Sequence, residues 1–375
     1  MEIKPHKILL VWQKSVELAG KVYMFTKQFP VEEKYGLVQL SFLFVFFILI
    51  ASSLCYAGEG TSGAQFLKID MGVRATGMGG AYAGISDDGI GINWNPAGLV
   101  QNNFKEINFI YNRYIQETNC QYLSYFQPVK KGSRIIYFGG SVYSLSNSEI
   151  QGYNNSGART TKLNYSDTLV ALTYAQEITK QISFGINMKY ISEGIASVSA
   201  AAVCGDLGLL YRPVNANKLS LGLNIQNLGS GIKFINDSAS LPMNIKLGMG
   251  YKLLKDNLVM GLDYNQPNDN QGHISLGLEY WITKLIGFRV GYKGASGGDL
   301  GSGLRFGFGF LNKNIGVDYA FTPYSVLGDA HQLGLKIRFE GVSKFPTPPQ
   351  KKAVKFPTPQ KKPKFPVPPQ FKDKY

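Results

Sequence analysis

The sequence LSLGLNIQ at residues 219–226 decides the fold, because apolar side chains occupy every second position. The apolar positions are Leu219, Leu221, Leu223 and Ile225, and small or polar residues lie between them. The same alternation recurs in ISFGINMKY (182–190), LRFGFGF (304–310) and LGLKIRF (333–339). A period of two places neighbouring side chains on opposite faces of a β-strand. Each strand therefore has one apolar face and one face of glycine and polar residues.

This alternation extends from about residue 106 to residue 339, with turns rich in Gly, Asn, Asp and Ser between the segments. It predicts fourteen strands at approximately 106–115, 118–127, 133–146, 163–175, 181–193, 203–212, 218–228, 244–253, 257–266, 272–282, 286–294, 301–311, 314–321 and 331–339. The longer connectors, 147–162, 229–243 and 322–330, are expected on the outer side of a membrane, and the short turns 254–256 and 312–313 on the periplasmic side.

The strands predict an all-β protein, a closed antiparallel transmembrane β-barrel over 104–339. Their lengths are near the ~9–11 residues that cross a bilayer at a tilt, and closure leaves no unpaired strand edge in lipid. Aromatic residues recur where interfacial girdles are expected, at Tyr190, Tyr251, Tyr264, Tyr280, Tyr292, Tyr319 and Phe339. Phe339 would end the closing strand. A secreted soluble β-protein, with the apolar faces turned inward, is the alternative.

The composition excludes several other classes of protein. Only 17% of the 375 residues are charged, against a usual ~25%, and the high aromatic content argues against a disordered chain. Three Cys residues are too few for a disulfide-stapled miniprotein. Half of the net charge of +14 lies in the last 36 residues, which hold nine Lys against two acids. The charge of the barrel is thus weak evidence for nucleic-acid binding, and no nucleic-acid partner is expected.

The N-terminal region predicts a secretory signal peptide over residues 1–57. The apolar run LSFLFVFFILI (40–50) is followed by small residues, and cleavage is expected after Ala57. Because the upstream part is long, Met24 is a possible true start. A transmembrane anchor is one alternative, although the run is shorter than the ~20 residues of a span. A lipoprotein cysteine at Cys55 is another, and the bulky Leu54 fits that pattern poorly.

Residues 58–103 do not alternate and predict an irregular hatch inside the barrel. This segment is rich in Gly and Ala and contains NWNPAGL at 93–99. Pro96 lacks a backbone donor and suits a membrane strand poorly. Irregular backbone at membrane depth is tolerated inside protein or beside a water-filled cavity. The candidate hatch residues are Asn93, Asn95, Pro96, Ala97 and Gly98; the nearby Asp87–Asp88 pair predicts a loop turn or hatch hydrogen bonds.

The stretch from Gly63 to Leu99 resembles the N-terminal segment of the PorV/PorQ family of outer-membrane proteins, which are related to FadL-type transporters. The string NPAGL at 95–99 matches one that both groups share in the hatch, and AFTPYSVLGDAHQLGLKIRF (320–339) resembles the family's last hairpin and closing strand. The resemblance covers roughly 60–339 and implies a barrel of fourteen strands with an N-terminal hatch. It also implies an outer-membrane location and, for some members, a part in type IX protein secretion through binding of cargo signals.

Charged residues on the polar faces of the strands are expected to line the lumen. Those singled out are Lys189, Lys246, Asp263, Glu279, Arg289, Lys293, Arg305 and Asp318, with Lys336 and Arg338 on the last strand. A charge on the lipid face would cost about 2–4 kcal/mol at the midplane of the bilayer. These charges predict either a hydrated lumen in which they pair with one another or a pathway for a polar or amphipathic solute.

Residues that could carry enzyme chemistry are scattered. The sequence lacks nucleotide-binding, zinc-protease and serine-hydrolase motifs. His6, His273 and His331 lie far apart, and Cys120 and Cys204 share no metal-ligand spacing, although a disulfide between them is conceivable. We expect no enzyme activity, no cofactor and no metal.

The segment 340–375 predicts a disordered tail rich in Lys and Pro. It contains the imperfect repeats KFPTPPQKKAV, KFPTPQKKP and KFPVPPQ, and this density of Pro favours extended polyproline II. The leading hypothesis from sequence is a secretion component whose partners are outer-membrane lipid, secretion-system proteins and cargo signal domains. The alternatives are a FadL-like channel for hydrophobic small molecules and a structural barrel that the tail tethers to peptidoglycan.

Overall fold

The computed structural model describes residues 60–340 except 133, 148–149, 197, 217 and 296–300. The predicted signal peptide and nearly all of the predicted tail lie outside these residues. The strands, in chain order, are β1 (Lys105–Arg113), β2 (Thr118–Lys131), β3 (Arg134–Asn147), β4 (Ile150–Tyr153), β5 (Arg159–Leu163), β6 (Tyr165–Glu177), β7 (Ile182–Ile195), β8 (Val198–Tyr211), β9 (Leu219–Gly229), β10 (Ile232–Phe234), β11 (Asp237–Ala239), β12 (Asn244–Leu253), β13 (Leu258–Pro267), β14 (His273–Ile282), β15 (Ile286–Lys293), β16 (Gly303–Asn312), β17 (Ile315–Pro323) and β18 (Asp329–Phe339).

Fourteen of the described strands form a closed antiparallel barrel, which confirms the predicted fold class. Each strand pairs with the next barrel strand along the chain, and β18 pairs with β1 to close the ring. In that closing pair Lys105 lies opposite Phe339 and Ile110 opposite Gly334. The sheet therefore has no free edge within the barrel, as lipid exposure requires.

Two strands, β2 and β8, are 14 residues long and exceed their predicted length by about four residues each. β2 continues past Pro128 to Lys131 and keeps its pairing with β3 there. Pro128 lies beyond Phe126, the last β2 residue that pairs with β1, so one side of the ladder needs no donor at the proline. β8 begins at Val198, five residues before the predicted start. The sequence pattern missed this part of the strand because its small residues, such as Ala200 and Ala202, conceal the apolar period.

The apolar faces of the strands lie on the outside of the barrel. Leu172 on β6 is 66% exposed, whereas the neighbouring Thr173 faces the lumen and is 4% exposed. Most of the predicted girdle residues are exposed on the outer surface, namely Tyr190, Tyr280, Tyr292, Tyr319 and Phe339. Tyr264 differs, because it packs with Leu223 and Leu247 and is only 7% exposed.

The two ends of the barrel differ in the length of their connectors. One end, here the long-loop end, carries two hairpins that the sequence pattern had placed in loops, β4–β5 and β10–β11. The other end, the short-turn end, carries tight turns such as 254–257 and 313–314. β1 begins and β18 ends at the short-turn end, where Lys105 and Phe339 pair.

The hatch fills the lumen with short helical turns. Two 3-10 helices, Gln65–Lys68 and Pro96–Gln101, flank the α-helices α1 (Val73–Gly77) and α2 (Gly91–Trp94). The chain enters at the long-loop end, where Ser62 forms a parallel bridge with Ser240 beside β11, and passes from the second 3-10 helix into β1. Among the helices of the described ranges, none is long and apolar enough to cross a membrane.

Candidate functional site: the hatch, the lumen wall and two cavities

Lumen-facing glycines let the hatch backbone lie directly against the barrel wall. A Cβ atom on Gly222 of β9 would collide with the Ala83 carbonyl, and one on Gly291 of β15 would collide with the backbone of Gly79. The same close approach occurs at other wall positions, namely Gly185, Gly208, Gly248, Gly261, Gly277 and Gly307. These glycines explain part of the polar-face pattern in the sequence, because a side chain at these points would displace the hatch.

The NPAGL string anchors the hatch to the barrel wall. Asn95 Nδ2 donates to the Ala83 carbonyl at 2.9 Å and to the Leu209 carbonyl of β8 at 3.0 Å. Asn95 Oδ1 accepts from Ala97 N at 3.2 Å and so caps the 3-10 helix that Pro96 begins. Three predicted hatch residues, Asn95, Pro96 and Ala97, are thus buried against β7 and β8, where they hold the hatch in place.

The other two predicted hatch residues have different surroundings. Gly98 packs against Ser86, whose carbonyl would collide with a Cβ atom at that position. Asn93 accepts a hydrogen bond at its backbone carbonyl from Gln226 Nε2 at 2.7 Å, and the residue lines a cavity. Asn93 is therefore the member of the motif that a solute in the lumen could contact.

Arg74 on α1 joins the hatch to the charged wall. Its Nη2 donates to Glu279 Oε2 at 2.6 Å and its Nη1 to Asp87 Oδ1 at 2.5 Å. Burial alone would lower the pKa of the Arg74 guanidinium, but Asp87 and Glu279 outweigh it and raise that pKa above its ordinary value. Asp87 in turn pairs with Lys252 at 2.7 Å. Burial would raise the pKa of Asp87, but Arg74 and Lys252 hold it well below its ordinary value.

The network continues along the wall through three of the predicted lumen charges and Lys336. Glu279 accepts from Arg289 Nε at 2.7 Å, and Arg289 Nη1 donates to Asp318 at 2.7 Å. Lys336 Nζ lies 2.9 Å from Asp318. Asp263 accepts instead from the hatch N–H groups of Tyr82 and Ala83. These side chains therefore pair with one another and with the hatch.

The remaining lumen charges lie nearer the long-loop end. Arg305 Nη1 donates to Asp70 Oδ2 at 2.6 Å, and Lys293 donates to the same oxygen at 3.2 Å. Burial would raise the pKa of Asp70, but Lys293 and Arg305 outweigh it and hold that pKa well below its ordinary value. Lys189 pairs with Asp206 at 2.7 Å. Lys246 lies over the ring of Trp94, with Nζ 4.1 Å from the ring centroid.

Several of these partners were missed in the sequence. Asp70 and Arg74 lie in the hatch segment, and Arg74 is its only arginine, a signal that could have marked it. Asp206 faces the lumen at an irregularity in the β8–β9 register, which the alternation of residues does not reveal. Trp94 lies between the predicted hatch residues Asn93 and Asn95 but was not itself singled out. Its partner Lys246 is 152 residues away from Trp94 in sequence, so only the fold brings them together.

Two cavities lie on opposite sides of the hatch. The long-loop cavity, about 460 Å³, is lined by hatch residues such as Met71 and Trp94 and by wall residues near the long loops. The short-turn cavity, about 620 Å³, is lined by Arg74 and Asp87 of the hatch together with wall residues such as Lys252. A solute that crosses the lumen must therefore pass the hatch.

The lumen wall is apolar on one side and charged on the other. Strands β2 to β8 turn inward a set of apolar and aromatic side chains: Tyr122, Tyr143, Leu145, Leu169 and Ile191. Most of the ion pairs described above involve β12 to β18. The pair between Lys189 of β7 and Asp206 of β8 is the exception on the apolar side. Cys120 and Cys204 belong to the apolar side and are free thiols. In the described part of the chain, no group of three or more His, Cys, Asp or Glu could hold a metal ion.

Neither a family model nor a curated protein matches this sequence, whereas solved structures do. The Pseudomonas putida toluene transporter TodX aligns with 13% identity and a TM-score of 0.53, over 76% of this chain and 99% of TodX. The Ralstonia pickettii toluene transporter TbuX aligns with 13% identity and a TM-score of 0.50, over 72% of this chain and 98% of TbuX. This chain has the barrel fold of the toluene transporters.

A Pseudomonas aeruginosa FadL homologue also aligns, with 9% identity and a TM-score of 0.47, over 72% of this chain and 98% of that chain. At such low identity the likeness to the toluene transporters concerns the fold alone. The closed barrel expected from sequence thus has the fold of the toluene transporters, while the PorV/PorQ assignment stays a prediction.

Proposed function

We propose that this protein is a FadL-like channel of the outer membrane, through which small molecules with an apolar part pass when the hatch shifts. The observation that carries this proposal is the pair of cavities separated by a hatch inside a closed barrel. A structural barrel would need neither cavity, and an open pore would need no hatch. The toluene transport named for the two structural neighbours supports the same class of function.

The lining of the long-loop cavity supports a solute with an apolar body. Phe66 and Met71 of the hatch line this cavity together with Tyr143 and Leu169 of the wall, and the rings of Phe66 and Tyr143 pack with their centroids 5.6 Å apart. Apolar walls with a few placed polar groups are usual for sites that bind small molecules. Asn93 lines the same cavity, where a bound solute could contact it.

The outer membrane of a Gram-negative cell is the location that fits this barrel. The belt of exposed apolar side chains around the barrel suits lipid, and the long loops would face the outside. Both ends of the barrel sequence lie at the short-turn end, which would then face the periplasm.

Uptake of labelled toluene by Gram-negative cells that express the full chain tests the proposal. We expect a severalfold faster uptake than in cells with an empty vector. Asn93→Trp fills the cavity and should return uptake toward the empty-vector rate. Val326→Trp places the same ring at the same end, outside the cavity, where residue 326 is 88% exposed, and should leave uptake unchanged. No increase in uptake, with the protein present in the outer-membrane fraction, would contradict the proposal.

A part in protein secretion is the second candidate. Exposed apolar side chains at the long-loop end, at Tyr153, Ile235 and Val326, favour contact with another protein. Crosslinking in the native cell followed by purification tests this role. Recovery of secreted proteins that share a C-terminal signal domain would support it, and their loss on Ile235→Asp and Val326→Asp would locate the contact.

Tethering to peptidoglycan is the third candidate, and it depends on the tail. Glu340 follows the end of β18 at the short-turn end, so the chain leaves the barrel on the expected periplasmic side. The nine Lys of the last 36 residues would suit an anionic cell-wall surface. Deletion of 344–375 should release the barrel from isolated peptidoglycan without changing its thermal stability; unchanged retention would exclude this role.

A further inference from the structure

Lys246 is a buried cation held at the wall of the long-loop cavity. It lies on β12, lines the cavity and is only 8% exposed. Its Nζ lies 4.1 Å from the centroid of the Trp94 ring, a cation–π distance. The ring is fixed, because Trp94 Nε1 donates to the Met71 carbonyl at 2.6 Å and the Trp94 carbonyl accepts from Asn224 at 2.7 Å.

The other lysines of this cavity have carboxylate partners, and Lys246 does not. Lys189 pairs with Asp206, Lys293 with Asp70, and Lys68 with Asp269. Across the described residues, Lys246 Nζ has neither a hydrogen bond nor an ion pair. A buried charge without a partner anion is unfavourable, so this position calls for an anion from outside the chain.

The neighbouring carboxylates do not form ion pairs with Lys246. Asp70 and Asp263 act on Lys246 electrostatically, but Asp70 accepts hydrogen bonds from Lys293 and Arg305. Asp263 Oδ2 accepts from the backbone N–H groups of Tyr82 and Ala83, and Asp263 Oδ1 is buried without a hydrogen-bond partner among the described residues. Neither carboxylate is within ion-pair distance of Lys246, so its ammonium remains open toward the cavity.

We propose that the long-loop cavity binds a compact organic anion, with its carboxylate on Lys246 and its apolar or ring-shaped body against the aromatic wall. Tyr114, Tyr143 and Tyr324 supply rings around the same cavity as Lys246. A neutral hydrocarbon of equal size would leave the ammonium unpaired and bind less tightly. This inference rests on the proposed channel function and names the charge of its solute.

Binding of benzoate to the purified full chain in detergent tests this inference, with benzyl alcohol as the neutral analogue of similar size. Quenching of Trp94 fluorescence reports occupancy, and a Trp281→Phe background removes the other tryptophan of the described barrel. We expect benzoate to bind at least tenfold more tightly than benzyl alcohol. Lys246→Met should lose this preference, Lys246→Arg should retain it, and Lys233→Met, an exposed lysine on β10, should behave as wild type.

The outcomes separate the two proposals. Equal binding of benzoate and benzyl alcohol, or benzoate binding that survives Lys246→Met, would overturn the anion site. Toluene uptake by cells would then still support the channel. Absence of both benzoate binding and toluene uptake would overturn both. Calorimetric titration of Lys246→Arg, checked by its unfolding temperature, keeps the test valid if Lys246→Met fails to fold.

Discussion

At the scale of single residues, buried charges with several partners hold the hatch in place. Arg74 contacts Glu279, Asp87 and the Tyr82 hydroxyl, and each of those groups lies in a buried or nearly buried position. Removal of a charge from such a cluster leaves its partners buried and uncompensated, which costs more than the pair itself contributes. The hatch is therefore more sensitive to loss of Arg74 than to loss of any exposed ion pair.

Arg74→Met should destabilise the docked hatch by about 3–5 kcal/mol. We expect faster cleavage within 60–103 by an added protease and a lower unfolding temperature. Arg212→Met provides the matched control, because its partner Glu177 is exposed and the pair at 3.1 Å contributes about 0–1 kcal/mol. Equal protease resistance of the two variants would contradict the assigned role of Arg74.

The sequence could place charges in the lumen but could not pair them. Alternation shows which face of a strand a residue lies on, and this put Glu279, Arg289 and Asp318 inside the barrel. Their partners depend on the pairing of strands and on the path of the hatch, which have no local pattern. For the same reason Lys246 gave no sign that it would lie over Trp94.

At the scale of elements, the strands were predictable with their bounds, whereas the hatch was predictable only as an irregular segment inside the barrel. The strands repeat a period of two over most of their length, so even β9 and β16 could be located from sequence within a few residues. The hatch has no period, because its backbone follows the wall through short helical turns. The wall glycines mark, in the strand sequences, the positions where the hatch backbone lies against the barrel. This role can be recognised only once the position of the hatch is known.

Gly222→Ala should loosen the hatch, because the added methyl group meets the Ala83 carbonyl and Asn95 Nδ2. Overpacking of this kind costs about 1–3 kcal/mol. Gly140→Ala on β3 is the matched control, since its nearest contact to an added Cβ, the Ala171 carbonyl, is at 3.2 Å. Hydrogen exchange of hatch amides measures the difference. Slow exchange in both variants would show that the hatch does not need the close approach.

Acid should weaken hatch docking through Asp70 and Asp87. The pKa of each carboxyl is lowered in the folded protein, so each contributes stability that is present above the ordinary carboxyl pKa of ~4 and is lost as the pH falls below it. Thermal unfolding between pH 7 and pH 3 should show a steeper loss in wild type than in Asp70→Asn/Asp87→Asn. Parallel curves would argue against these two groups.

At the scale of the whole molecule, the hatch and barrel form one continuous chain that enters at one end and closes at the other. Gly60 lines the long-loop cavity, whereas Phe339 ends β18 at the short-turn end.

We expect the mature protein to begin at Gly58, as the predicted signal peptide requires. Intact-mass measurement of protein extracted from the outer membrane checks this directly. Ala57→Leu should block processing and reduce the amount of folded barrel. Recovery of an unprocessed chain that is fully folded in the outer membrane would contradict the predicted cleavage.

The direct passage of the hatch into β1 has a consequence for how a passage could open and shut. The C-terminal end of the hatch is covalently joined to β1, whereas its other end is held by noncovalent contacts near Ser62. A hatch released from the wall would stay covalently joined to β1, so its local concentration beside its docking position would remain high. Redocking of the hatch would therefore be an intramolecular step that requires no soluble factor.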